Sequence, residues 1–187
     1  MASKSLRVFS LLSAIAALAR SRGIRIVASM DAHVAADDEI SDRPDFRSTF
    51  PPHCMCGTPG QGQVPATRAL APVAIENRPY TGADLKQRIA TPGAEIVLLK
   101  NRFDVFTQPN TNLLIELLHP RCVVTYGVAL DVCVCHAVAG FLARGDIEVT
   151  VVRDAVRALA PARGAQILSD WEQRGVKVLD TSHIVGG

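Results

Sequence analysis

Several things this chain of 187 residues has little of narrow its function before any motif is read. Aromatic residues are 5% of the total and the formal charge is only +2. Neither a basic stripe nor basic and aromatic residues interleaved, the footprint of a nucleic-acid binder, is present. Cysteine is scarce and odd in number, five in all, with two pairs spaced Cys-x-Cys: Cys54 with Cys56, and Cys133 with Cys135. That is a poor disulfide framework and fits a reducing, cytoplasmic compartment. No apolar run is long enough to span a membrane. Internal repeats, low-complexity tracts and linkers are missing too, so residues 1–187 read as one domain with one sizeable core. Acidic residues are absent from the start of the chain, where no Asp or Glu precedes Asp31.

What is present is an alternation of strand-length and helix-length apolar segments. Ile24–Met30, Glu95–Lys100, Cys122–Tyr126, Ile147–Val152 and Val176–Asp180 are short and rich in Val and Ile, as strands buried on both faces should be. Leu6–Ser21, Thr111–Leu118, Asp131–Arg144 and Ala162–Arg174 carry helical spacing, and Arg144-Gly145 supplies a basic last turn with a C-cap glycine. The rhythm after residue 95 calls for a parallel sheet with helices on both faces. The opening MASKSLRVFSLLSAIAALAR reads as an amphipathic helix stopped at Gly23, with a secretory signal as the competing reading. Asp31–Pro92 breaks the rhythm. It is rich in Pro, Gly, Asp and Thr and reads as a long functional loop.

Three polar residues sit at or just past the carboxyl ends of predicted strands: Asp31, Lys100 and Cys133. Open α/β sheets bind ligands at that rim. Cys133 falls in the first turn of the helix predicted over Asp131–Arg144. Unpaired N–H groups there stabilise a thiolate and can hold the oxygen of a tetrahedral intermediate. Buried, inert packing is the competing reading for any cysteine, and it is the one adopted for Cys135. His136 shares a face with Cys133 but suits a helix surface. Lys100 is either a snorkelling lysine or a cation that lowers the thiol pKa. Asp31, His33 and His53 offer three N/O ligands, the number a catalytic metal site uses. A structural zinc site of His33 and His53 with Cys54 and Cys56 ranks lower, because Cys-x-Cys is shorter than the usual spacing.

Four stretches together resemble the isochorismatase-like cysteine hydrolases, and within them the nicotinamidases. Gly127–Val134 (GVALDVCV) resembles the nucleophile motif, Phe50–Gly60 (FPPHCMCGTPG) the nicotinamidase loop, Ser29–His33 (SMDAH) the first two metal ligands, and Lys100–Phe106 (KNRFDVF) the lysine motif. The resemblance implies a three-layer α/β/α fold with a mostly parallel sheet. It implies hydrolysis of nicotinamide, or a related small amide, to the acid and ammonia in NAD salvage, through a thioester on Cys133. Asp31, His33 and His53 would hold a divalent ion, zinc being the expected one, that binds the pyridine nitrogen. Backbone amides of Ala129 and Cys133 would form the oxyanion hole, beside a cis Val128–Ala129 bond. Phe50 would flank the ring, and Lys100 would join the catalytic group. No nucleic acid or membrane partner is implied, and a homo-oligomer is compatible. The resemblance further implies an initial strand ending in the general-base aspartate. Leu6–Ser21 already matches the helix after it, so the domain is expected to be truncated at its N-terminus, with activity dependent on upstream residues. Asp104 and Asp131 are the acids that could stand in. The alternatives are a metal-independent hydrolase of the same superfamily and a catalytically impaired remnant.

Overall fold

The apolar runs separated by helices cannot form hairpins, so they pair in parallel. In the computed structural model, which describes the backbone of residues 2–186 and the side chains of residues 8–186, they do so in two three-stranded sheets. The elements run α1 (Ala2–Ser21), β1 (Val27–Asp31), β2 (Pro72–Ile75), α2 (Gly82–Ile89), β3 (Glu95–Lys100), α3 (Thr111–Leu118), β4 (Cys122–Val128), α4 (Cys135–Arg144), β5 (Glu148–Arg157), α5 (Pro161–Gln173), β6 (Lys177–Leu179) and α6 (Thr181–Val185). The fold is α/β. It divides into two compact units, Arg25–Leu117 and Met1–Ile24 with Leu118–Gly187.

The unit Arg25–Leu117 carries the sheet β1-β3-β2. Its central strand β3 is buried along nearly its whole length, which is why its sequence is continuously apolar between Glu95 and Lys100. The parallel register sets Asp31 beside Lys100 at the carboxyl ends of β1 and β3. The stretch Asp31–Pro92 is not one loop, as the composition suggested, because it contains β2 and α2. β2 escaped notice because it has four residues and opens on Pro72, a residue tolerated at the start of an edge strand. α2 buries only Leu85 and Ile89. Thr81 caps it, its hydroxyl accepting from the Asp84 N–H at 3.1 Å.

The second unit carries the sheet β4-β5-β6. β5 serves two cores, and the parity of its inward residues changes across the irregularity that shifts its pairing with β4 between Thr125 and Gly127. Val149, Val151 and Val156 pack with Val138 of α4 and Trp171 of α5, whereas Val152 and Ala155 pack with Val8, Leu12 and Ile15 of α1. A helical layer therefore covers each face within this unit. The run that also read as a secretory signal is helical from Ala2 to Ser21 and buries its i, i+4, i+7 stripe. Each buried aliphatic of that stripe contributes about 1.5–3 kcal/mol. Gly23 and Gly145 stop α1 and α4 as expected, both in the left-handed region with φ of 63° and 74°. Among the described residues no helix is long and apolar enough to cross a membrane.

Candidate functional site

β1 delivers Asp31 at its last position, and the chain then leaves the sheet carrying His33. His33 is fully buried. Its backbone pins the Pro-rich loop. The His33 N–H donates to the Cys54 carbonyl at 3.2 Å and the Cys56 N–H donates to the His33 carbonyl at 2.8 Å. Cys54 adopts φ of 46° and Gly57 φ of 75°, so the loop turns sharply after His53. A cysteine in that region costs about 1–2 kcal/mol, a strain typical of segments that aim a functional group. The His33 and His53 rings end with centroids 4.8 Å apart.

Asp31, His33 and His53 each contribute a ligand atom, and these atoms lie within 4.8 Å of one another. Cys54 and Cys56 stand outside that group, so the rival zinc set is not assembled. Burial pushes the Cys54 thiol pKa up, and the charge of Asp31 adds to this, which disfavours a thiolate ligand. His53 is oriented by its Nδ1, 2.9 Å from the Pro51 carbonyl. His33 Nδ1 lies 3.1 Å from Asp37 Oδ2, while its Nε2 is buried with no partner. Glu39 Oε2 is a second buried oxygen without a partner. Orphaned atoms of this kind are costly in a dry setting and are what a bound cation satisfies. Two imidazoles and a carboxylate suit a divalent ion such as zinc, with open positions left for water or substrate.

Lys100 is buried and forms an ion pair with Asp31, and its ammonium also donates to the Arg102 carbonyl at 2.9 Å. The next three residues engage three successive acids. Asn101 donates to Asp37 at 3.0 Å, Arg102 pairs with Asp38, and the Phe103 N–H donates to Glu39 Oε1 at 3.0 Å. Burial pushes the Glu39 carboxyl above its ordinary 4.5, against the pull of the Phe103 N–H and Lys100. Phe50 stands edge-on to His53 at 6.1 Å between centroids and edge-on to Phe103 at 5.5 Å. Asp37, Glu39 and Phe103 were not singled out from the sequence. The run Asp37-Asp38-Glu39, six residues past His33 at its end, was the available signal.

Cys133 and Ala129 belong to the other unit. The regular helix α4 begins only at Cys135, and Leu130–Val134 form a wider π-helical turn. Cys133 therefore lies in that turn, not in the first turn of an α-helix as predicted. Such turns recur at functional sites. The turn is closed by the N–H groups of Val132 and Val134, both donating to the Ala129 carbonyl at 3.1 Å. The Val128–Ala129 peptide is cis, as the resemblance implied. Cys135 packs on the apolar core, and burial pushes its thiol up. His136 is exposed. Both acids considered as stand-in bases accept backbone N–H groups. Asp131 accepts the Leu159 and Ala160 N–H groups, and Asp104 accepts the Phe106 N–H at 2.8 Å.

The Isochorismatase domain family model matches residues 4–183. A stretch of 60 residues is 42% identical to a nicotinamidase/pyrazinamidase of Mycobacterium tuberculosis, and it spans 31% of this chain and 32% of that relative. The chain thus aligns with about a third of the curated relative's length. Among solved structures, N-carbamoylsarcosine amidase of Thermoplasma acidophilum superposes with a TM-score of 0.70 at 21% identity, over 96% of this chain and 85% of that one. Nicotinamidase/pyrazinamidase of Bacillus subtilis gives 0.68 at 20%, over 93% and 85%. The zinc complex of Pyrococcus horikoshii pyrazinamidase gives 0.61 at 22%, over 88% and 79%. At these identities the superpositions speak for the fold.

Proposed function

We propose that this chain, which belongs to the isochorismatase family, is an amidohydrolase of the nicotinamidase type that converts nicotinamide to nicotinate and ammonia. The observation that carries this reading is the convergence of Asp31, His33 and His53 beside Phe50, with His33 Nε2 buried and unpartnered. A pyridine-like ring needs an aromatic neighbour and an electrophile for its nitrogen, and this constellation offers both. A divalent ion held by these three residues would bind the ring nitrogen and orient the substrate.

Cys133 is the nucleophile in this reading. Its sulfur bonds to the amide carbon, the carbonyl oxygen gains the negative charge, and the Ala129 and Cys133 amides steady it. The proton given up by the Cys133 thiol passes to the amide nitrogen as collapse breaks the C–N bond, and ammonia leaves. Water then cleaves the thioester, releasing the acid and regenerating the thiol. Lys100 neutralises charge that develops during these steps. The product acid would feed pyridine-nucleotide salvage in the cytoplasm.

A second reading draws on Lys100. Its ammonium already sits on Asp31, a proposed ligand, and N-carbamoylsarcosine amidase is among the structural relatives. A metal-independent amidase acting on a carbamoyl group fits that pairing.

Ammonia release separates the readings. Purified protein with added zinc, manganese or iron is given nicotinamide, pyrazinamide, benzamide or N-carbamoylsarcosine. The first reading expects turnover of the pyridine and pyrazine amides, loss of turnover in Cys133→Ala, and loss of bound metal in His53→Ala. The assay is run on this chain and on a form carrying an added N-terminal strand that ends in aspartate; if neither, folded and metal-loaded, releases ammonia from either heteroaromatic amide, the first reading is refuted. Turnover of N-carbamoylsarcosine that persists under chelation supports the second.

A further inference from the structure

The two nitrogens of the His33 ring have different surroundings. Nδ1 lies 3.1 Å from Asp37 Oδ2, and Nε2 is buried without a partner. An ionised carboxylate can only accept hydrogen bonds, so Nδ1 carries the ring proton. The neutral ring then offers its lone pair at Nε2, the atom a metal takes. Asp37 is itself held from two sides. Its Oδ2 also accepts the Val34 N–H at 2.9 Å, and its Oδ1 accepts the Asn101 amide at 3.0 Å. The His33 side chain is fully buried and that of Asp37 is 8% exposed, so water competes little for either. The Asn101 anchor comes from the residue after Lys100, at the end of β3.

We propose that Asp37, anchored by Asn101, is the positioning residue that sets the tautomer and aim of His33 for a metal ion. This rests on the Asp31–His33–His53 reading given above. A carboxylate behind a ligating imidazole fixes the ring and raises its basicity, and losing such a partner typically weakens metal binding about 10–100-fold. Asp37 touches neither substrate nor metal in this role. It acts through His33.

Two measurements test it, and the first needs no metal. Long-range proton–nitrogen NMR of the metal-free protein reads the tautomer of His33. The Nδ1–H form is expected in wild type and Asp37→Asn, whose side-chain oxygen still accepts, and loss of that preference is expected in Asp37→Ala. The second is a cobalt(II) titration followed by visible absorption. Cobalt affinity should fall about 10–100-fold in Asp37→Ala, less in Asp37→Asn, and several-fold in Asn101→Ala. It should hold in Asp38→Asn, whose exposed carboxylate pairs with Arg102. If Asp37→Ala does not fold, the near-isosteric Asp37→Asn carries the titration. Wild-type affinity in both Asp37 variants, with an unchanged tautomer, overturns the proposal. Wild-type protein that shows the Nδ1–H tautomer yet takes up no cobalt refutes the metal reading and the proposal with it. The NMR result tells that case from a failure of Asp37 alone.

Discussion

Replacing Asp131 decides between two roles for a carboxylate two residues from the proposed nucleophile. The residue is 6% exposed, and its two carboxylate oxygens accept the Leu159 and Ala160 N–H groups at 2.8 and 2.9 Å. Ala160 immediately precedes α5, so the pair of bonds ties the Leu130–Val134 turn to the start of that helix. Hydrogen bonds to a charged group are worth about 1.5–3 kcal/mol each, and truncation also leaves two amides without acceptors. Water reaches part of the gap left by alanine, so the sum overstates the loss. Asp131→Ala should cost about 3 kcal/mol. For a protein of this size that lowers Tm by about 6–12 °C. Asp131→Asn keeps one acceptor but turns an NH₂ toward the second amide, and should lose at least half as much. The assay is thermal unfolding by circular dichroism at pH 7 with chelator present. A catalytic base would behave differently: its Asn variant would melt like wild type and lose turnover. If Asp131→Ala melts within about 1 °C of wild type, the structural role argued here is wrong.

Gly164 in α5 has no room for a side chain. An added Cβ would lie 2.6 Å from the Ala158 Cβ and 3.2 Å from the Leu130 Cδ2. Gly164→Ala should therefore destabilise by about 1–3 kcal/mol despite the better helix propensity, and a Tm equal to or above wild type would contradict this. For Cys135, burial first and then the charge of Asp131 hold the thiol above its ordinary 9.0. The folded state keeps that proton at a pH where the unfolded state releases it. The resulting stability is intact below about pH 9 and is lost as pH rises through the folded value. Mass-spectrometric mapping of alkylation at pH 8 should find Cys135 labelled more slowly than the exposed Cys56 and Cys122, and equal rates would refute the packing assignment. The exposed Asp45 carboxylate accepts the N–H groups of Arg47, Ser48 and Thr49 at 2.8, 2.8 and 2.9 Å, which together hold its pKa well below the ordinary 3.8. Its ordering of the loop before Phe50 is present above pH 3.8 and lost as pH falls toward the folded value. Asp45→Ala should speed amide exchange at residues 47–49 at neutral pH, and unchanged protection there would count against the loop argument.

The legible elements share a physical cause. β3 and α3 were read residue for residue because each carries one uninterrupted pattern bounded by polar or breaking residues. β5 was cut short at Val152, whereas it runs on to Arg157. The charged Arg153-Asp154 pair breaks the apolar run there. In the fold Arg153 pairs with Asp180 at 3.2 Å, and Asp154 accepts the Thr181 N–H and hydroxyl. Those charges are satisfied by a neighbouring element that local pattern does not disclose.

The candidate ligands were legible for a similar reason and their supports were not. His33 and His53 are two of only five histidines, and Asp31 sits just past the end of a predicted strand, two residues before the first of them. Asp37 and Asn101 are ordinary residues that gain a role only through pairing. Register supplies that pairing. Along β1 and β3 the partners are 69 residues apart, as Asp31 with Lys100 is. Beyond the sheet, Asp37 with Asn101, Asp38 with Arg102 and Glu39 with Phe103 are each 64 apart. The chain from Ala32 to Ala36 is therefore looped out between two in-step runs, and His33 is the residue it carries inward. An insertion or deletion among Val34, Ala35 and Ala36 that the loop does not absorb shifts the acids against the Lys100–Phe103 run by one place. It would set Asp37 opposite Lys100 or Arg102 instead of the Asn101 amide that now holds it toward His33, and the candidate ligands would lose that support while both motifs stayed intact in the sequence.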